Sequence, residues 1–121
     1  MFLIYRTSFD SAHQIPDTEE LLTKKCANKH GHTYHLKLFL DVDLMKAFYM
    51  KNFVDFELIK QTVNFILEKY DHKDITELYK LHTVEDIAED LMNRLRSHYG
   101  ANSEVEIRFE LFETDKFGVS C

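Results

Sequence analysis

Residues 26–43, CANKHGHTYHLKLFLDVD, decide how this chain is read. In their second half Leu36, Leu38 and Leu40 alternate with Lys37, Phe39 and Asp41. That is the two-residue period of a pleated strand with one buried face, and it predicts a strand over residues 32–43. The head of the segment carries chemistry. Residues two apart in extended backbone point the same way, so His30 and His32 present both imidazoles to one side. Gly31 is read as leaving room between them. A third histidine, His13 in Ser11-Ala12-His13, ends a first strand predicted over residues 2–9. If the two strands pair as a hairpin, His13 lies beside the His-x-His pair. Three neutral imidazoles suit zinc and leave a fourth position open, the arrangement of a catalytic site.

Cys26 stands four residues before His30 and leaves three readings open. It is a catalytic residue beside a three-histidine ion. Or it closes a structural four-ligand site with His13, His30 and His32, which would make the chain a non-catalytic zinc-stabilised module. Or, without metal, it is a nucleophile paired with a histidine, as in a thiol hydrolase.

Working outward, residues 14–29 are polar, contain Pro16, and read as a long loop with a turn near Glu19–Leu22. Residues 55–70 are predicted helical, because Phe56, Ile59, Val63, Ile66 and Tyr70 recur at steps of three and four and Asp55 is a good N-cap type. A second helix is predicted over 83–99, capped by Thr83 with Asp86 three residues on and stopped by Gly100. Its apolar face is Val84, Ile87, Leu91 and Leu95. Residues 104–113 alternate again, and a short strand is expected over 117–120. The expected fold is therefore α+β, a four-stranded antiparallel sheet in the order ββααββ with two helices on one face. Its other face and its edges would be left open, and edges of that kind are usually paired or covered. An oligomer is expected.

The composition sets outer bounds. A chain of 121 residues suits one domain, residues 1–121, and 45% apolar residues are enough for a core. The formal net charge of −6 argues against a nucleic-acid binder. The apolar run at Met1–Tyr5 is too short for a signal peptide, and no stretch reaches the roughly 18 apolar residues of a membrane span. Two cysteines, Cys26 and Cys121, make no disulfide framework, so a cytoplasmic protein is expected.

Two further constellations are candidates. Asp71-His72 is an adjacent acid–base pair able to relay a proton. Its bland reading is a histidine at a helix C-terminus. Glu113, at the end of the last long strand, could accept two hydrogen bonds from a planar N–H edge. From spacing alone it reads as a solvated acid. His35, His82, His98 and Cys121 read as structural or exposed.

Taken together, Phe9-x-x-Ala12-His13, Cys26-x-x-x-His30-Gly31-His32-Thr33-Tyr34, Val54-Asp55-Phe56, Asp71-His72-Lys73, Thr83-x-Glu85-x-Ile87-Ala88 and Glu113-Thr114 resemble the 6-pyruvoyl-tetrahydropterin synthase family. The three-residue gap between Cys26 and His30 resembles its 6-carboxytetrahydropterin synthase branch from queuosine (preQ0) biosynthesis. The resemblance implies the tunnelling fold, with subunits joining their sheets into a barrel, as a hexamer built from two trimers. It implies zinc on His13, His30 and His32, Cys26 as general base, Asp71 and His72 completing a relay from a neighbouring subunit, and Glu113 anchoring the pterin. The implied substrate is 7,8-dihydroneopterin triphosphate, with 6-carboxy-5,6,7,8-tetrahydropterin, acetaldehyde and triphosphate as products. The runner-up activity is 6-pyruvoyl-tetrahydropterin synthase, which eliminates triphosphate and keeps the side-chain carbons. The chain departs from the family pattern at Asn52-Phe53, at Ile75-Thr76, in its tail, and at His82, where the family usually has proline.

Overall fold

The computed structural model describes residues 1–15, 29–100 and 106–121. Cys26 and the turn expected near Glu19–Leu22 lie outside the described residues. The elements in chain order are β1 (Phe2–His13), β2 (His30–Asp41), α1 (Val42–Tyr49), α2 (Phe56–Leu67), β3 (Lys73–Asp74), α3 (Ile75–Tyr79), α4 (Val84–Tyr99), β4 (Ile107–Phe112) and β5 (Gly118–Ser120).

The sheet corrects the expected architecture. It has five strands in the order β3-β1-β2-β4-β5, and β3 runs parallel to β1, so it is mixed where a four-stranded antiparallel sheet was expected. The four expected antiparallel strands are present with shifted bounds: β1 runs on from residue 9 to His13, β2 begins at His30, β4 ends at Phe112, and residues 104–105 lie outside the described residues. β1 and β2 pair over their full length from Phe2↔Asp41 to His13↔His30. The added strand is two residues long and pairs with Ser11 and Ala12. A strand that short is fixed by where the preceding turn lands, which no local period encodes.

The alternation sorts the two faces. Phe9, Tyr34, Leu36, Leu38, Leu40, Phe109 and Leu111 point inward and are buried against Ile59, Val63 and Ile66 of α2 and Ile87, Leu91 and Leu95 of α4. Each such side chain contributes roughly 1.5–3 kcal/mol when fully buried. The opposite face, with Ile4, Arg6 and His35, is exposed. Gly118 admits β5 against β4, because a Cβ there would lie 2.5 Å from the Leu111 carbonyl oxygen.

Caps set the helix boundaries. Asp55 accepts hydrogen bonds from the N–H groups of Glu57 and Leu58, and Thr83 and Asp86 form a reciprocal capping box. α1 was not foreseen. The strand predicted to Asp43 stops at Asp41, whose carboxylate accepts from Leu44 N–H at 2.9 Å and starts a helix instead. The helix predicted to residue 70 stops at Leu67. The Leu67 carbonyl accepts from the N–H groups of both Tyr70 and Asp71, so a tight turn carries Tyr70 into the core. Among the described residues, no helix is long and apolar enough to cross a membrane.

Candidate active site

The β1–β2 register assembles the site. His13 is the last residue of β1 and pairs with His30, the first of β2, while Ser11 pairs with His32. All three imidazoles therefore fall on the helix-covered face at one end of the hairpin. Their ring centroids are 4.4 Å (His13–His30), 5.0 Å (His13–His32) and 4.8 Å (His30–His32) apart. One nitrogen of each lies within 4.8 Å of the other two, so the group could hold one metal ion. Gly31 is not needed for this approach: a Cβ there would meet only the Ser11 carbonyl oxygen, at 3.7 Å.

The hydrogen bonding of His13 decides its tautomer. Its Nδ1 lies 2.6 Å from the His82 carbonyl oxygen, which can only accept, so Nδ1 carries the proton. In the neutral ring Nε2 then holds a lone pair. That Nε2 is fully buried and has no hydrogen-bond partner. A histidine whose far nitrogen donates to a backbone carbonyl and whose near nitrogen is left bare has the second-shell arrangement of a metal ligand.

Glu113, one residue beyond β4, leans into the same space. Its Oε1 is 3.1 Å from His13 Nε2 and 3.5 Å from His32 Nε2. Burial pushes His13 towards neutrality, but Glu113 and the His82 carbonyl outweigh it and hold the pKa above the ordinary imidazole value. Burial, reinforced by the neighbouring imidazoles His13 and His30, lowers the pKa of His32 against the pull of Glu113. The His13 contact, with His32 and His30 behind it, holds the Glu113 carboxyl below its usual range despite burial. Glu113 is thus the negative charge beside the converging nitrogens. Converging nitrogen ligands, a fully buried His13 Nε2 and the neighbouring Glu113 carboxylate together fit a zinc-type ion that would be held by His13, His30 and His32.

Asp71 and His72 form a second, separate group on the turn after α2. Asp71 Oδ1 accepts from the Asp10 N–H at 2.9 Å, and His72 Nδ1 lies 3.0 Å from Asp71 Oδ2. The His72 N–H donates to the Asp10 carbonyl at 2.6 Å, and His72 adopts a left-handed backbone with φ 57°. The hydrogen bond from Asp10 N–H leads in lowering the Asp71 pKa, with His72 and Lys73 adding to it. Asp10, Asp71 and His72 also bring ligand atoms within 4.8 Å of one another, but this group is largely exposed and such acidic clusters are common without an ion. The pair does not belong to the three-histidine cluster of its own chain.

The structure thus brings together His13, His30, His32 and Glu113, and sets Asp71 and His72 apart. Three nearby residues were given no site role from the sequence: Tyr34, which packs its ring against His13 and His32; His82, whose carbonyl orients His13; and Asp10, whose backbone orients Asp71. Only Tyr34 carried a local signal, since it continues the two-residue step of His30 and His32. His35, out of step, is exposed on the other face.

The sequence profile described as 6-pyruvoyl tetrahydropterin synthase matches residues 3–121. A Pyrococcus furiosus protein named dihydroneopterin monophosphate aldolase is 31% identical over 119 residues, covering 97% of this chain and 93% of its own. An Archaeoglobus fulgidus protein named "Putative 6-carboxy-5,6,7,8-tetrahydropterin synthase" is 28% identical over 95 residues, 78% of this chain and 76% of its own. The structure of Caenorhabditis elegans 6-pyruvoyl tetrahydropterin synthase superposes with a TM-score of 0.74 at 24% identity, over 100% of this chain and 94% of its own. The Plasmodium falciparum enzyme of the same name gives 0.70 at 15% identity, over 100% and 96%. The two superpositions speak for the fold, and the profile match over nearly the whole length speaks for ancestry: the chain belongs to the 6-pyruvoyl tetrahydropterin synthase family of pterin-processing enzymes.

Proposed function

We propose that residues 1–121 form one domain that acts as a zinc-dependent lyase on the side chain of a phosphorylated 7,8-dihydroneopterin. The observation that carries this reading is the fully buried Nε2 of His13, which converges with nitrogens of His30 and His32 and has the Glu113 carboxylate beside it. Zinc bound there by His13, His30 and His32 would supply Lewis acidity, making protons next to the side-chain hydroxyls easier to remove. Glu113 would accept hydrogen bonds from the N–H edge of the pterin and fix its orientation. Cys26, as thiolate, would take a proton from the side chain. Asp71 orients His72 through its Nδ1, leaving the other ring nitrogen to exchange a proton with the substrate. Because Asp71 and His72 are exposed and apart from the three histidines, they would serve the metal site of a neighbouring subunit. Among the described residues only Ser11 and Ala12 pair along the outer edge of β1, and this edge with the exposed apolar side chains Ile4, Phe56 and Phe65 supports an oligomer. A hexamer of two stacked trimers is the proposed assembly.

The product we propose first is 6-carboxy-5,6,7,8-tetrahydropterin, formed from dihydroneopterin triphosphate with loss of acetaldehyde and triphosphate and serving queuosine biosynthesis. It is supported by the Cys26-x-x-x-His30-Gly31-His32 spacing and the Archaeoglobus relative. A second reading is favoured by the Pyrococcus relative, which is matched over more of its length. In it, the monophosphate is cleaved between the two hydroxylated carbons to a 6-hydroxymethyl dihydropterin and a phosphorylated two-carbon aldehyde. Incubating the zinc-loaded protein with each phosphate ester and weighing the products separates the two. Acetaldehyde with a carboxypterin supports the first reading, and a phosphorylated aldehyde supports the second. A pyruvoyl product with all carbons retained would identify the eliminating activity instead. Turnover of neither ester by zinc-loaded protein would overturn the enzyme reading in favour of a zinc-stabilised module.

A further inference from the structure

Tyr34 has a hydroxyl with nothing to do in the structure as it stands. Its side chain is completely buried, and its oxygen has no hydrogen-bond partner. The ring cannot swing away to find one. It is stacked on Phe9 at 5.2 Å and 15°, and packed against His13 and His32 at 6.2 and 5.9 Å. Buried hydroxyls without partners are costly and uncommon, so the exception asks for a reason.

Its charged neighbour is Glu113. Glu113 follows Phe112, which pairs with His35, so it lies across from Tyr34 just beyond the end of the β2–β4 ladder. Glu113 Oε1 sits against His13 Nε2 and His32 Nε2, where those nitrogens would meet a cation. Once the nitrogens are occupied, the carboxylate must either join them or turn aside. Turned aside, it finds in Tyr34 the only unpartnered buried side-chain donor among the described residues.

We propose that Tyr34 is a positioning residue that holds Glu113 by a hydroxyl-to-carboxylate hydrogen bond in the metal-loaded site, leaving the rest of the carboxylate to receive the N–H edge of the substrate. The proposal rests on the reading of Glu113 as the pterin anchor. Tyr34→Phe keeps the ring and its stacking on Phe9, so the fold is retained.

The test uses the zinc-loaded protein in four forms: wild type, Tyr34→Phe, Glu113→Gln and the double variant. Zinc per chain is measured, and neopterin, which is fluorescent, serves as a non-reacting probe of the ring site. The expected result is unchanged zinc in all four and neopterin binding weakened roughly five- to tenfold by Tyr34→Phe, the worth of one hydrogen bond. Glu113→Gln should weaken binding further, and the double variant should match Glu113→Gln alone, because Tyr34 acts through Glu113. With a turned-over substrate, Tyr34→Phe should raise KM more than it lowers kcat. Wild-type affinity in Tyr34→Phe, or independent and additive losses in the double variant, would overturn the positioning role while leaving the anchor intact. Loss of zinc in Glu113→Gln would make Glu113 a metal ligand, and unchanged binding in Glu113→Gln would remove the anchor reading itself; either overturns the proposal.

Discussion

Tyr70→Phe tests how the turn bearing Asp71 and His72 is held. Tyr70 is completely buried, and its hydroxyl donates to Asp90 Oδ2 at 2.6 Å. Arg94 Nε donates to the same oxygen at 2.7 Å, and the guanidinium lies 5.5 Å over the Tyr70 ring. The Tyr70 carbonyl accepts from Ser11 Oγ at 2.5 Å, which ties the turn to β1. Phenylalanine keeps the ring, its packing and the Arg94 contact, and leaves Asp90 still paired with Arg94. What is lost is one hydrogen bond to a charged acceptor, about 1.5–3 kcal/mol. Asp90 is partly open to water, which places the expected loss near the lower end, about 2 kcal/mol. For a chain of this size that lowers Tm by roughly 6–10 °C. Asp90→Ala should cost more, about 3 kcal/mol, because it leaves the Tyr70 hydroxyl without an acceptor and Arg94 without its partner. The double variant should then be little worse than Asp90→Ala alone, since neighbours in one network are not additive. Urea unfolding of the four proteins gives all of these values. A Tyr70→Phe loss under about 0.5 kcal/mol, or strict additivity with Asp90→Ala, would refute the claim that this network anchors the turn.

Cys26→Ala should keep zinc and fold while losing most activity; loss of metal in the purified variant would instead point to a closed four-ligand site. Inactive Cys26→Ala and His72→Ala subunits, mixed under conditions where subunits exchange, should restore part of the activity, and no rescue despite proven exchange would place both residues in one chain's site. The Asp71 carboxyl, whose folded pKa is depressed chiefly by the Asp10 N–H, stabilises the fold above its unfolded value and stops doing so as pH falls through the folded one. The stability advantage of wild type over Asp71→Asn should therefore be complete above about pH 5, well above the unfolded carboxyl value of about 3.9, and should shrink steadily as the pH is lowered through and below that value; an advantage that does not change on acidification would mean the carboxylate's charge plays no part.

What the sequence made legible follows from range. β2 and β4 alternate over enough residues for one face to be recognised, and α2 and α4 begin at caps, Asp55 and Thr83, whose hydrogen bonds are local. The three histidines were legible for the same reason: two share a strand face, and the third ends the partner strand. α1 and α3 span eight and five residues, too few for a periodic signal, and α1 was hidden because Asp41 continues the strand's polar positions while capping a helix. Tyr70 continued the spacing of α2 although a turn, and not the helix, buries it. Glu113 looked like one acid among many until the β2–β4 pairing carried it to the histidines. The separation of Asp71 and His72 from those histidines depends on β3 docking beside β1, a contact between residues some sixty positions apart. Cys26 remains known by its spacing alone.

If the substrate is the phosphorylated pterin proposed above, the charges around the site bear on how a chain of net charge −6 could take so anionic a molecule. Three neutral imidazoles add no negative charge, so a divalent ion held by them would keep its full charge. Glu113 is the one acid in contact with the histidines among the described residues, and it is only 22% exposed. On the proposed reading its charge is matched to the N–H edge of a neutral ring, not to the phosphates. The ring then has to enter first and lie deep, with the phosphorylated end of the side chain directed outward. Among the described residues no acid is buried, and charges open to solvent are screened by salt within about 8–10 Å. A positive centre approached in this order is compatible with an acidic surface, because the anionic end of the substrate never has to share space with Glu113.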